Sequence, residues 1–334
     1  MPIYSAEILR ELREERRRPF SLWATGLLAA SAWLAFALYC ELAPNATRTW
    51  PYTRELTHGS IAIAVLLALL ALLPGPTTRL ANRLRPAGQW LIALPLLLGL
   101  WQLATAKLAL LPVPFFAPPQ ALLEVYAEDW PRLAESLLHS FWLLANGVLL
   151  GSAFGFVAGV SIGWSQRIGY WLHPVLRILG PVPSTALLPL CFFVFPSSWG
   201  ASVFLIALAT WFPVTVLTWS GVASVDRAYY DVARTLGASE RFLIFRVAIP
   251  AALPHVFVGL FMGLGASFSV LVVAEMMGVK AGLGWYLQWA QGWAAYPNMY
   301  AALLVMALLC SGLITLLFLV RDRVLSWQKG AVKW

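Results

Sequence analysis

Charge is scarce in this chain. Only 11% of its 334 residues are charged, and Asp and Glu number 15 against 23 Lys and Arg. A water-soluble surface of this size would carry far more. Cysteine is nearly absent too. Cys40, Cys191 and Cys310 stand alone in or beside apolar runs, which excludes a disulfide framework and leaves them as small apolar residues. The four histidines, His58, His139, His173 and His255, fall on different segments without ligand spacing, so no metal site is expected. No cluster of His, Asp or Cys offers a catalytic constellation, and no enzymatic activity is expected. A glycine-rich phosphate loop of Walker type is also missing, so the chain is not expected to hydrolyse ATP or bind a cofactor.

What fills the sequence instead is apolar. Sixty per cent of residues are hydrophobic, and runs of about twenty recur, the length needed to cross a bilayer as a helix. Because backbone groups in lipid must bond within their own segment, the fold class is all-α: a polytopic membrane protein. Eight spans are predicted, at 21–43, 59–75, 88–111, 137–164, 174–195, 201–222, 253–277 and 299–320. The first is too long for a signal peptide and lacks a small-residue cleavage site. Span 174–195 carries Pro174, Pro181, Pro183 and Pro189 and is expected to break or kink.

The net charge of +8 points to topology and not to nucleic acid. With the N-terminus in the cytoplasm, Arg10, Arg13, Arg16, Arg17, Arg18, Arg79, Arg83, Arg85, Arg167 and Arg177 fall inside. Arg227, Arg234, Arg241, Arg246, Arg321, Arg323, Lys329 and Lys333 join them, leaving only Arg48, Arg54, Lys107, Arg132 and Lys280 outside. This is positive-inside asymmetry, and it puts both termini and residues 223–250 in the cytoplasm.

One packing signal stands out. Gly147, Gly151, Gly155, Gly159 and Gly163 recur every fourth residue along one span, and Gly259 and Gly263 repeat the interval once. Small residues at this spacing let helix backbones approach closely in lipid.

The most distinctive polar segment lies between the sixth and seventh expected spans. Val225, Tyr229, Val232 and Leu236 form an apolar stripe at helical spacing, with Asp226, Asp231 and Arg234 off it. Gly237 is placed to stop that helix in a left-handed conformation. Ser239 is placed to cap a second short helix with Glu240 in its first turn, and Pro250 and Pro254 mark entry to the next apolar run. Such a helix–Gly–helix knob can seat in a groove of a partner or lie on the membrane surface.

Its spacing, Asp231-Val232-Ala233-x3-Gly237-x9-Val247-x-Ile249-Pro250, resembles the "EAA" cytoplasmic loop of ABC-importer permeases, E-A-A-x3-G-x9-I-x-L-P. Asp231 stands for Glu, Val232 for Ala, and Val247 and Ile249 for Ile and Leu. From about Leu111 the chain also resembles the nitrate/taurine/sulfonate branch of these permeases. The match runs through Leu111-Pro112 to Pro118-Pro119, Pro181-Val182-Pro183, Leu187-Leu188-Pro189-Leu190 and Pro250-Ala251-Ala252-Leu253-Pro254. It continues through Gly259-Leu260, Ala274-Glu275-Met276 and Gly282-Leu283-Gly284. The resemblance implies a core at 87–320 with the coupling loop at 223–250, an added N-terminal segment with two helices at 1–86, and a basic tail at 321–334.

Further implications of the resemblance are a plasma-membrane location, two permease copies forming a homodimer, and two cytoplasmic ATPase subunits that hydrolyse ATP. An extracytoplasmic binding protein would deliver a small anion such as nitrate, bicarbonate, taurine or another sulfonate. Asp231, Val232, Ala233, Arg234, Gly237, Ser239, Glu240 and Pro250 are the implied ATPase-coupling residues. For the passage the polar candidates are Glu275, His139, Ser140, Asn146, Ser184, Thr185, Ser267 and Ser269. Glu275, an acid within an apolar run, faces either a solvated cavity or backbone and hydroxyl partners. Ser and Thr in spans often only bond neighbouring helices. A secondary transporter is the alternative; it would need coupling-ion groups and internal repeats.

Overall fold

The computed structural model describes residues 23–46, 48–72 and 77–328, and every described element is helical. Arg10, Arg13, Arg16, Arg17, Arg18, Lys329 and Lys333, together with residues 73–75 of the second expected span, lie outside the described residues. The chain forms two compact units that meet between Glu128 and Asp129.

The N-terminal unit contains α1 (Ala24–Leu42), α2 (Thr53–Leu72), α3 (Thr77–Leu84), α4 (Gly88–Gln102) and α5 (Pro119–Glu128). Trp33, Phe36 and Cys40 of α1 pack with Leu67 and Leu70 of α2, and the Trp33 indole donates to the Leu91 carbonyl at 3.1 Å. A π-helical turn, Leu103–Lys107, extends α4. It delivers Lys107, buried, to the end of α1, where its ammonium donates to the carbonyls of Cys40 at 2.9 Å and of Ala43. A cation there satisfies orphan carbonyls and complements the negative end of the helix dipole. The expected boundary at residue 86 follows the family pattern. By packing alone, these contacts group the third span with the first two, and the compact units divide after Glu128.

The C-terminal unit begins with α6 (Trp130–Trp164), α7 (Gln166–Leu179), α8 (Leu188–Val194) and α9 (Ser198–Ala223). It continues with α10 (Arg227–Thr235), α11 (Ile249–Met277), α12 (Leu283–Gly292) and α13 (Tyr296–Val324). Seven described helices are long and apolar enough to cross a membrane, or eight if the bent pair counts as one span. That pair, Gln166–Leu179 and Ser184–Val194, turns through 84°, where Pro181 and Pro183 cannot donate backbone bonds.

Several spans begin earlier than the periodicity reading: the second at Thr53, the third at Leu80 and the fifth at Gln166, and the fourth and seventh for identifiable reasons. The fourth starts at Trp130, because Pro131 suits a first helical turn. The seventh does not begin after Pro250 but runs from Glu240. A π-helical stretch, Leu243–Ala248, precedes Pro250 and absorbs its missing donor. The loop therefore passes into the span without a break.

At the centre α9 is held between α6 and α11. All five glycines of the α6 row look onto α9. A Cβ on Gly155 would lie 2.9 Å from the Trp211 carbonyl oxygen, and one on Gly159 2.6 Å from Thr218 Cβ. From the other side, Gly259 meets Val214 Cα and Gly263 meets Thr210. A buried hydroxyl pair, Thr210 and Ser267, joins α9 to α11 at 2.5 Å. By contrast α13 is only 6% buried over its apolar window, so most of its surface makes no contact within the chain.

Candidate functional site

The knob after α9 is built by local capping. Asp226 Oδ1 accepts from the Ala228 N–H at 2.9 Å and starts α10. Gly237, at φ +82°, ends it, with its N–H donating to Arg234 O at 2.9 Å and that of Ala238 to Ala233 O at 3.0 Å. Ser239 Oγ then accepts from the Phe242 N–H at 3.4 Å and starts the next turn. Arg234 bridges the two pieces, 3.8 Å from Asp231 and 3.6 Å from Glu240. Exposed pairs of this kind add little stability, so they orient more than they hold.

The apolar stripe of α10 does not pack inward. Tyr229, Val232 and Leu236 are 66%, 61% and 83% exposed, and Phe242 and Phe245 extend the patch. What attaches the knob is Tyr230, stacked edge to face on Trp164 at the end of α6, 5.7 Å between centroids. Val222 of α9 and Ala248 and Ala252 beyond the knob complete that small core. Several large apolar side chains exposed on one short segment are a feature of interaction surfaces.

Two cavities lie along α9. The smaller, about 450 Å³, is walled by Leu208, Trp211, Phe212 and Met262, with Ser184, Thr185 and Ser269 as its hydroxyls. The larger, about 960 Å³, is flanked by Tyr170, His173 and Arg177 of α7 and by Phe212, Val216 and Trp219 of α9. Of the passage candidates, only Ser184, Thr185 and Ser269 come together at a cavity. His139 sits exposed on α6, 3.9 Å from Glu135, and Asn146 donates to the Trp142 carbonyl on the same helix. Ser267 is buried between α11 and α9.

Glu275 and Ser140 form a closed cluster elsewhere. Glu275 is 1% exposed. Its Oε1 accepts from Ser140 Oγ at 2.7 Å, and its Oε2 from the Gly284 N–H at 2.7 Å. Ser140 Oγ in turn accepts from the Leu283 N–H at 2.8 Å. The carboxylate thus satisfies the first turn of α12 and complements its positive end. Gly282, at φ +109°, and Gly284 give it room, since a Cβ on either would collide with Glu275. Nearby on α12, Tyr286 donates to Asp129 at 2.6 Å and accepts from Asn298 Nδ2 at 2.7 Å. Burial first, then the Asp129 carboxylate, push the Tyr286 hydroxyl well above its usual range, so it stays a donor and ties α12 to the start of α6.

Residues 151–328 match the family of binding-protein-dependent transport system inner membrane components. That stretch includes the knob, both cavities and Glu275, and amounts to more than half of the chain. This chain belongs to that family. As a transport permease it is similar to the taurine transport system permease protein TauC of Escherichia coli (strain K12), 33% identical over 246 residues, covering 70% of this chain and 88% of that one. SsuC of Bacillus subtilis (strain 168), named for aliphatic sulfonates transport, is 32% identical over 191 residues, 57% of this permease and 69% of its relative. The nitrate import permease protein NrtB of Synechococcus elongatus is 28% identical over 257 residues, 73% and 89% of the two chains.

Sequence reasoning about the permease passed over His173, Arg177 and Phe212. The signal was present in part, since Phe212, Val216 and Trp219 recur at i, i+4 and i+7 on α9. The pairing of that face with α7 depends on the 84° corner, which residue spacing does not disclose.

Proposed function

We propose that this permease is the membrane subunit of an ATP-driven ABC importer. In this reading two copies form the passage, two cytoplasmic ATPase subunits dock on residues 225–250, and a binding protein delivers a small anion to the opposite side. Both termini lie in the cytoplasm of a plasma-membrane protein. The observation that carries the reading is the knob: an exposed apolar patch with charged flanks, anchored by Tyr230 to α6 and continuous through Leu243–Ala248 with α11. A push on that patch reaches two core helices as rigid bodies. The names of the relatives, for taurine, aliphatic sulfonates and nitrate, support an anionic solute. ATP is hydrolysed by the partner, and this chain carries no cofactor of its own.

Reversing Asp231 and Arg234 together (Asp231→Arg with Arg234→Asp) tests the docking surface. Net loop charge is conserved, so topology is retained, while like charges now oppose those of the ATPase. ATPase retention on tagged permease should fall at least fivefold, or hydrolysis should lose its stimulation by substrate in liposomes. Wild-type values in both assays would leave the membrane-surface reading of the loop in its place.

Gly237→Val is expected to act on the same surface by another route. A left-handed conformation costs an L-residue roughly 1–2 kcal/mol, more for a β-branched one, and nothing crowds the site sterically. The variant should insert normally yet lose most ATPase retention and transport. Full transport at normal abundance would show that the turn is dispensable.

A further inference from the structure

We propose that the two cavities are consecutive chambers of one anion path, closed where Phe212 lies on Gly180, with Arg177 and His173 receiving the anion beyond the closure. This rests on the permease reading above and adds residues that it does not name.

The two cavities share Gly180 and Phe212 in their walls. A Cβ on Gly180 would stand 2.6 Å from Phe212 Cζ, so the ring lies directly against the backbone of the corner between α7 and α8. Only a glycine permits that approach. Phe212 is thus the side chain common to both cavities, resting on the glycine they also share.

Position along α9 orders them. Leu208, Ala209, Trp211 and Phe212 line the smaller chamber, and Phe212, Val216 and Trp219 the larger. From Leu208 to Trp219 the helix rises about 17 Å, roughly half a bilayer core. Trp219, which meets His173 edge to face at 4.3 Å between centroids, lies one turn before the end of α9, next to the chain's exit into α10. The larger chamber therefore sits at the end that bears the docking knob, where movement of α10 could reach the closure.

Chemistry identifies the ligand class. Neither chamber has an Asp or Glu in its lining. The smaller offers three hydroxyls, Ser184, Thr185 and Ser269, which can donate to an anion, between apolar walls that bind weakly enough to release it. In the larger, Arg177 is exposed and forms no ion pair among the described residues. A lone guanidinium with a neighbouring imidazole draws small anions and repels cations. An inorganic oxyanion or a compact organic sulfonate fits both volumes.

The experiment uses the purified permease alone in liposomes, without ATPase or binding protein, and follows nitrate efflux under a potassium diffusion potential. Wild type should be tight. Phe212→Ala should raise efflux at least tenfold, and adding Arg177→Gln to it should lower that efflux at least threefold and reduce the preference for nitrate over potassium. Phe212→Leu, which keeps an apolar contact, serves as the second opening variant and should also leak should the alanine variant aggregate. Tight vesicles with both opening variants, each eluting as wild type, would overturn the closure. Equal leak with and without Arg177 would remove the anion site. Because no ATPase is present, these outcomes are independent of the docking test, and either result can fail without the other.

Discussion

Gly155→Leu is expected to damage the membrane core severely. The position lies mid-row on α6, where even a Cβ would come within 2.9 Å of the Trp211 carbonyl oxygen and 3.0 Å of Val214 Cβ. The first of these is backbone and the second is fixed to it, so neither can yield as a flexible side-chain tip would. Overpacking a core costs about 1–3 kcal/mol where side chains can adjust; here two helices must separate, and the upper end or beyond is expected. In a protein of this size about 3 kcal/mol corresponds to a drop of roughly 4 °C in the melting midpoint, read on the detergent-solubilised permease. Abundance in the membrane should fall with it. An unchanged midpoint would show that α6 and α9 are not joined through this face.

Glu275→Ala carries the second large effect. The carboxylate holds the Ser140 hydroxyl and the Gly284 N–H in a site shut off from solvent, and alanine leaves both unpaired. Each buried unsatisfied group costs about 1–3 kcal/mol. The first turn of α12 would loosen, and with it the tie through Tyr286 to the start of α6. Glu275→Gln keeps an acceptor for Gly284 and can donate to Ser140, so it should retain near-normal abundance. The measurement is abundance and melting of the two variants side by side. A harmless alanine would contradict the anchoring role; a strong transport defect in the glutamine variant at full abundance would favour a solvated passage instead.

Much of the membrane architecture was legible from residues alone. Runs of apolar side chains declare spans because lipid cannot satisfy backbone groups. Proline clusters declare a break because the ring removes a donor: Pro181 and Pro183 mark the corner found at residues 180–183. The stop at Gly237 and the cap at Ser239 are also local, settled within four residues by backbone conformation and one hydroxyl. Less legible was the run-through of α11 from Glu240, since Pro250 reads as a start and only a π-helical turn lets the chain pass it.

The candidate passage residues divide by the same reasoning. Composition places Ser184, Thr185, Ser267, Ser269, His139 and Asn146 in or beside spans, but facing is a property of pairs of helices. Ser267 and Ser269 are two residues apart on α11, and one is sealed against α9 while the other lines a cavity. Glu275 finds its partners at Ser140 and Gly284, far apart in sequence and brought together only by the packing of α6, α11 and α12.

The sequence by itself determined the solvent of this protein, its helical class, its family and its capped polar knob, because each depends on short-range periodicity, backbone limits or spacing along one segment. Tertiary structure alone decided that the α6 glycines meet α9, that the knob's apolar stripe faces outward, that Glu275 anchors α12, and that Phe212 stands between two cavities. Those four depend on which helix faces which, and small residues permit close approach without specifying the neighbour.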